Sequence, residues 1–159
     1  MNISKLRTGV GVDAHKFGDN GPCSLAGLQW PETPRLLGHS DGDAAAHAIC
    51  DAVLSACQLG DVGSFFGVDK PETAGISGCE MIKQVRDFVV KKGFEINNVA
   101  VQIIGNTPNI SSRRDEAQLV LTESLGAPVS VSGTTTDLMG FTGRGEGVSA
   151  IATAMVQIP

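Results

Sequence analysis

HSDGDAAAHAICDAVLSACQLGD, residues 39–61, crowds histidines and aspartates into one loop and one helix. The loop carries His39, Asp41 and Asp43. The helix begins near Asp43 and runs to about Leu59, with Gly60 as its stop. Ile49, Val53 and Ala56 form its apolar stripe, flanked by Ala46 and Cys50. Asp41 or Asp43 can cap its start, because a carboxylate accepts backbone N–H groups that the first turn leaves unpaired. His47 and Asp51, four residues apart, share one helical face. Asp51 can orient the His47 ring or be a solvated helix aspartate. Upstream, VDAHKFG holds the third histidine, His15, two residues after Asp13. In a strand, positions i and i+2 point the same way. Asp13 and His15 can therefore close on one point, with His47 joining from the helix. Two imidazoles and a carboxylate make a zinc-type ligand set with a fourth position open, as a catalytic metal requires. The alternative is a pair of surface histidines beside a solvated aspartate.

The rest of the composition narrows the class. A chain of 159 residues with 42% apolar and 18% charged residues fits one folded domain, residues 1–159, with a sizeable core. A net charge of −5 with no Lys/Arg run argues against a nucleic-acid groove. No apolar run approaches the ~20 residues of a membrane helix. The first residues, MNISKLRTGVGVD, lack a signal peptide's apolar core. Cys23, Cys50, Cys57 and Cys79 show no C-x-x-C pairing and read as reduced packing residues in a cytoplasmic protein.

Residues 7–15 alternate as a strand. Thr8, Val10 and Val12 face one way; Gly9, Gly11, Asp13 and His15 face the other, where the glycines admit a close backbone or ligand. Gly18–Pro22 is a turn, and Cys23–Leu28 a second strand expected to form a hairpin with the first. PETPR (Pro31–Arg35) is a loop. Asp61–Gly75 is irregular and suited to covering a ligand, with Phe65 or Phe66 as a core anchor. Ser77-Gly-Cys-Glu80 is a capping box opening a helix to about Lys92, with Met81, Val85, Phe88 and Val89 inward and Gly93 behind it. Asn98–Ile104 is a β-branched strand. Ser112-x-x-Asp115 opens a third helix to Leu125. Val129–Thr136 and Val148–Ile158 are further strands. This order predicts an α+β fold: a mixed four- to five-stranded sheet with helices on one face.

Thr134-Thr-Thr-Asp137 and the loop GFTGRGEG (Gly140–Gly147) form a second constellation. Glycines and hydroxyls put donors where phosphate oxygens can bind. Arg144 can fork onto a phosphate, and Asp137 can hold a hard cation such as Mg²⁺. Equally, glycine-rich loops turn chains, and Arg144 can pair with Glu146.

Three segments together, GVGVDAHKFG (Gly9–Gly18), LLGHSDGDAAAHAICDAVLSACQLGDVG (Leu36–Gly63) and TTTDLMGFTGRGEG (Thr134–Gly147), resemble the 2-C-methyl-D-erythritol 2,4-cyclodiphosphate synthase family along essentially the whole chain. The resemblance implies a homotrimer around the sheets with active sites between subunits, in the cytoplasm or, after loss of a transit peptide, the plastid stroma. It implies a small-molecule substrate, 4-diphosphocytidyl-2-C-methyl-D-erythritol 2-phosphate, in non-mevalonate isoprenoid synthesis, and no nucleic-acid or membrane partner. The 2-phosphate attacks the β-phosphate and releases CMP. By position, the family's Zn²⁺ ligands fall on Asp13, His15 and His47, and its transition-state stabilisers on His39 and Thr135. Contacts around the methylerythritol fall on His39, Ser40, Asp61 and Gly63, with Phe66 in the adjoining loop. The cytosine stretch falls on Gly105 to Ser111, including Pro108, Asn109 and Ile110. The cytidine diphosphate segment falls on Thr134, Thr135, Thr136 and Asp137, the last holding Mg²⁺ or Mn²⁺. Phe141 and Arg144 match an apolar channel near the trimer axis.

The implied chemistry is physically coherent. Two phosphates of one molecule must approach despite like charge, which divalent cations offset. Holding both ends makes the attack unimolecular and in line. The nucleophile is already an anion, so His39 and Thr135 need only donate to developing charge. Three places depart from the family pattern: Gly67-Val68-Asp69-Lys70 after Phe66, Asp137 where glutamate is common, and Asn109 where lysine is common.

Overall fold

In the computed structural model, residues 3–67 and 70–159 are described. Strand β1 (Leu6–Lys16) opens the main sheet. A hairpin of β2 (Cys23–Leu25) and β3 (Leu28–Trp30) follows, then helices α1 (Ala44–Ala56), α2 (Val62–Phe66) and α3 (Gly78–Lys91). Strand β4 (Glu95–Ile104), helix α4 (Arg114–Leu125), β5 (Val129–Thr134), the short α5 (Gly140–Gly143) and β6 (Gly147–Gln157) complete the chain. The main sheet is four-stranded in the order β1-β6-β4-β5. β4 and β5 run parallel; the other pairs are antiparallel. This is the mixed α+β sheet expected.

Alternation sets the two faces. Val148, Ala150, Ala152, Ala154 and Val156 of β6 are buried, as are Val99, Val101 and Ile103 of β4 and Val129 and Val131 of β5. α1 lies on this face against β1 and β6, with α3 on its other side. It is buried nearly all round and built largely of alanine, so backbones come close. A Cβ on Gly11 would stand 2.0 Å from the Ala48 carbonyl oxygen, and one on Gly9 2.1 Å from that of Ala52. The close backbone anticipated beside these glycines is that of α1. α3 buries Met81, Ile82, Val85 and Val89, each worth about 1.5–3 kcal/mol against exposure. On the opposite sheet face Val10, Val12 and Ile151 are 56%, 59% and 40% exposed.

Several local expectations are corrected. Cys23–Leu28 does not pair with β1: Cys23–Leu25 pairs with Leu28–Trp30 as a separate two-stranded sheet. The cause is a two-residue turn, Ala26-Gly27, with φ of +54° and +74°, the geometry that lets antiparallel strands reverse tightly. Ser112 does not cap α4. Its hydroxyl donates to the Asn109 carbonyl within a 3₁₀ turn (Ile110–Arg113), anchored by buried Ile110, and the helix starts at Arg114. The stretch 61–75 is not wholly irregular. Asp61 and Ser64 form a reciprocal cap that opens α2, and Pro71–Thr73 is a 3₁₀ turn. Phe66 is the buried anchor, with Phe65 stacked edge-on at 4.7 Å. Val68 and Asp69, half of the departure at Gly67–Lys70, lie outside the described residues.

All four cysteines are free thiols, and burial pushes Cys23 up to about 12 and Cys57 to about 11. Among the described residues no helix is long and apolar enough to cross a membrane.

Candidate metal centre and adjoining cleft

β1 delivers Asp13 and His15 at its last inward-facing positions, and α1 delivers His47 from its first turns. Asp43 caps α1, its side chain accepting from Ala46 N–H. The same buried carboxylate accepts from Ala26 N–H at 2.9 Å and Gly27 N–H at 2.8 Å. It therefore holds the positive-φ hairpin turn against the helix start. Burial and the nearby Asp41 push the Asp43 carboxyl above its usual range, against the pull of the Gly27 and Ala46 amides. Asp41 accepts from the amides of Asp43 and Gly78, and Asp51 from Val62 N–H at 2.7 Å. The positive partners of this acidic crowd are therefore mostly backbone amides, and only Asp13 turns to the histidines.

Asp13 Oδ2 lies 2.8 Å from His15 Nε2 and 3.0 Å from His47 Nδ1, and the two ring nitrogens are 3.0 Å apart. These three residues form a group able to hold a metal ion. Their outer nitrogens are taken. His15 Nδ1 is 2.6 Å from the Leu37 carbonyl. A carbonyl only accepts, so Nδ1 carries the proton and Nε2 turns a lone pair inward. His47 Nε2 is 2.7 Å from Ser40 Oγ, which can accept its proton and leave Nδ1 facing inward. Three acceptors converging this closely need positive charge between them, either a proton or a metal cation. Burial opposes ionising Asp13, yet the hydrogen bonds and charge of His15 and His47 outweigh it and hold the carboxyl at about 2. His15 is raised: burial disfavours its charge, but the Asp13 bond and charge win. Tetrahedral zinc with Zn–N bonds of about 2.0–2.1 Å sets its ligands about 3.3 Å apart, so a small outward relaxation of this triangle fits the ion.

Asp51 does not orient His47; Ser40 occupies the ring nitrogen it would need, and Asp51 ties α1 to α2 instead. His39 donates Nε2–H to the Lys70 carbonyl at 2.8 Å, and its own carbonyl accepts from Gly75 N–H. A cavity of about 180 Å³ opens beside the triangle, walled by His39, Ser40, Val62, Phe66, Ile76 and Met81 among others. Asp61 and Gly63 are exposed on α2 beside it. Ser64 N–H holds the Asp61 carboxyl below its usual value.

A second cleft, of about 290 Å³, is lined by Gly105 through Ser111 with Gly133, Thr134 and Thr135. It lies at the same end of the sheet as the triangle, because His15 pairs with Val148, and Ile104 pairs with both Ser149 and Thr134. Three strand spacings separate β1 from β5, about 14 Å. Asn106, which the sequence did not single out, donates to the Gly143 carbonyl and joins this cleft to the glycine-rich loop. Thr136 bonds the Thr142 hydroxyl, while Asp137 is exposed with φ of +51°. Arg144 pairs with Glu146 at 3.0 Å, and Phe141 is 44% exposed on α5. Leu37 was also missed. It acts through its carbonyl, which no side-chain pattern reveals.

The α+β sheet thus carries, at one end, an Asp-His-His group able to hold a metal ion and a cleft of amides and hydroxyls. The YgbB family model matches residues 6–157, and the chain belongs to that family, the 2-C-methyl-D-erythritol 2,4-cyclodiphosphate synthases. It is 54% identical over 153 residues to the 2-C-methyl-D-erythritol 2,4-cyclodiphosphate synthase of Cutibacterium acnes, covering 96% of this chain and 91% of that one. It superposes on the bifunctional IspDF of Campylobacter jejuni with a TM-score of 0.91 and 33% identity, covering 97% of this chain and 42% of that one. On a Plasmodium falciparum IspF–CDP complex the TM-score is 0.83 at 26% identity, with 99% of both chains covered.

Proposed function

We propose that this chain, acting as one domain, converts 4-diphosphocytidyl-2-C-methyl-D-erythritol 2-phosphate to 2-C-methyl-D-erythritol 2,4-cyclodiphosphate and CMP. The observation that carries the reading is the Asp13–His15–His47 triangle, with both outer imidazole nitrogens already engaged. Zn²⁺ or another divalent cation would be held there, and Mg²⁺ or Mn²⁺ by Asp137 together with the diphosphate. Such cations, when bound, supply Lewis acidity that offsets phosphate charge.

The protein's own groups then do the positioning. The cleft at Gly105–Ser111 takes the cytosine, chiefly through backbone, so Asn109 in place of lysine is tolerated. Thr134 to Asp137 take the cytidine diphosphate. The cavity beside the triangle takes the methylerythritol, with its 2-phosphate aimed at the β-phosphorus. A P–O bond forms there as the bond to the α-phosphate breaks, and CMP leaves with the electron pair. His39 can turn its Nε2–H from the Lys70 carbonyl onto a phosphate oxygen. Thr135 donates to the same developing charge. With both reacting groups on one held molecule, no bimolecular encounter is needed.

The reading includes a homotrimer with sites between subunits, in the cytoplasm. Val10, Val12 and Ile151 give the uncovered sheet face an apolar character suited to burial against other copies. Phosphorus NMR of the products tests the assignment: a cyclic diphosphate and CMP are expected, lost on metal removal. A linear phosphate product would make the protein a metal phosphohydrolase. CDP binding by calorimetry without turnover would make it a binding protein.

A further inference from the structure

One short segment controls both imidazoles of the triangle. Leu37 N–H donates to the Lys16 carbonyl at 2.8 Å, which lays residues 36–37 alongside the end of β1. That contact aims the Leu37 carbonyl at His15 Nδ1. Gly38 lets the ring sit against the segment, since a Cβ there would stand 2.9 Å from His15 Cε1 and 3.1 Å from Nδ1. Two residues on, Ser40 Oγ meets His47 Nε2 at 2.7 Å. Ser40 is held in turn, because Gly42 N–H points at its oxygen and the Asp41 amide and carboxylate are bound to Ile76 and Gly78.

We infer that Ser40 is a positioning residue for the metal centre: by accepting the Nε2 proton of His47 it fixes the tautomer and rotation that turn Nδ1 toward Asp13 and His15. This rests on the metal reading above and departs from the expectation that Ser40 serves chiefly as a substrate contact. With an alanine at 40, His47 Nδ1–H can instead donate to Asp13, and a metal must displace that proton and reorient the ring. Partners on the outer nitrogen of ligating histidines typically contribute 10- to 100-fold in metal affinity.

The test uses the full-length protein without substrate. Zn²⁺ affinity is measured by competition with a chromophoric chelator for the wild type, Ser40→Ala and His47→Ala, with circular dichroism confirming the fold. Ser40→Ala should bind Zn²⁺ 10- to 100-fold more weakly. Saturating Zn²⁺ should restore part of the turnover that Ser40→Ala loses at limiting Zn²⁺, because the weakened site is then filled. Zinc affinity within threefold of wild type overturns the inference, whatever KM does. His47→Ala binding Zn²⁺ as tightly as wild type would overturn the metal reading itself, and the role of Ser40 with it.

Discussion

Replacing Asp43 by asparagine exchanges one carboxylate oxygen for an amide nitrogen at nearly unchanged volume, so hydrogen bonding and charge change while packing does not. In the native chain Oδ1 accepts from Ala26 and Ala46, and Oδ2 from Gly27 at 2.8 Å. The asparagine oxygen can keep the first pair. Its NH₂ group then faces Gly27 N–H, donor against donor, in a residue only 1% exposed. Losing one charge-assisted bond costs about 1.5–3 kcal/mol, and leaving a buried donor unpaired about 1–3 more. Part of this returns because a buried charge beside Asp41 is gone, the same burial and crowding that push the Asp43 carboxyl up. The net is about 2–3 kcal/mol. At about 2–4 °C per kcal/mol for a chain of this size, Tm should fall by roughly 4–12 °C. Calorimetric melts at matched protein concentration and zinc content measure it. A shift below about 2 °C would show that the turn and helix start do not depend on this carboxylate.

Gly11→Ala should be worse, because its Cβ would meet the Ala48 carbonyl at 2.0 Å and Ala52 N at 2.6 Å. Separating α1 from β1 should cost at least about 3 kcal/mol and weaken zinc binding together with stability, as paired melts and chelator titrations will show. The gain in Tm on adding Zn²⁺ should grow as pH rises from the ordinary histidine value of 6.5 through the raised His15. The raised His15 stabilises the metal-free protein below its folded pKa and loses that contribution as pH climbs through it, while the proton that competes with metal departs. Fluorimetric melts across pH check this, and a flat or falling zinc effect would refute it. If the proposed trimer forms through the open sheet face, Val12→Asp should turn a wild-type trimer into a folded monomer in light scattering; a variant that stays trimeric would place the interface elsewhere.

Much of this site was legible because it obeys short-range periodicity. Asp13-x-His15 shares a strand face, Gly9 and Gly11 mark a close approach on the same face, and His47 follows a cap on an apolar helix. What escaped depends on contacts distant in sequence or carried by backbone. The hairpin partner of Cys23–Leu25 is decided by a turn whose amides are held by Asp43, 17 residues away. The partner of His47 is decided between Ser40 and Asp51 by the path of a loop, since either side chain has the right chemistry. The Asp61-x-x-Ser64 cap was present as a pattern, but glycines around it read as irregular chain. The Ser112 signal failed because Ile110 sinks into the core against Gly133 and tightens the chain before a helix can begin there.

The alternation of β1 carries a further restriction. Its inward positions are spoken for in sequence: 9 and 11 lie under the body of α1, leaving 13 and 15 beyond the helix's first turn. Moving the ligand pair back by two residues would drive side chains into helix backbone, and moving it by one would point both at the opposite face. Along β1 a single address therefore accommodates a metal, so sliding that centre along the strand by engineering would require a shorter α1, with new ligands alone being insufficient.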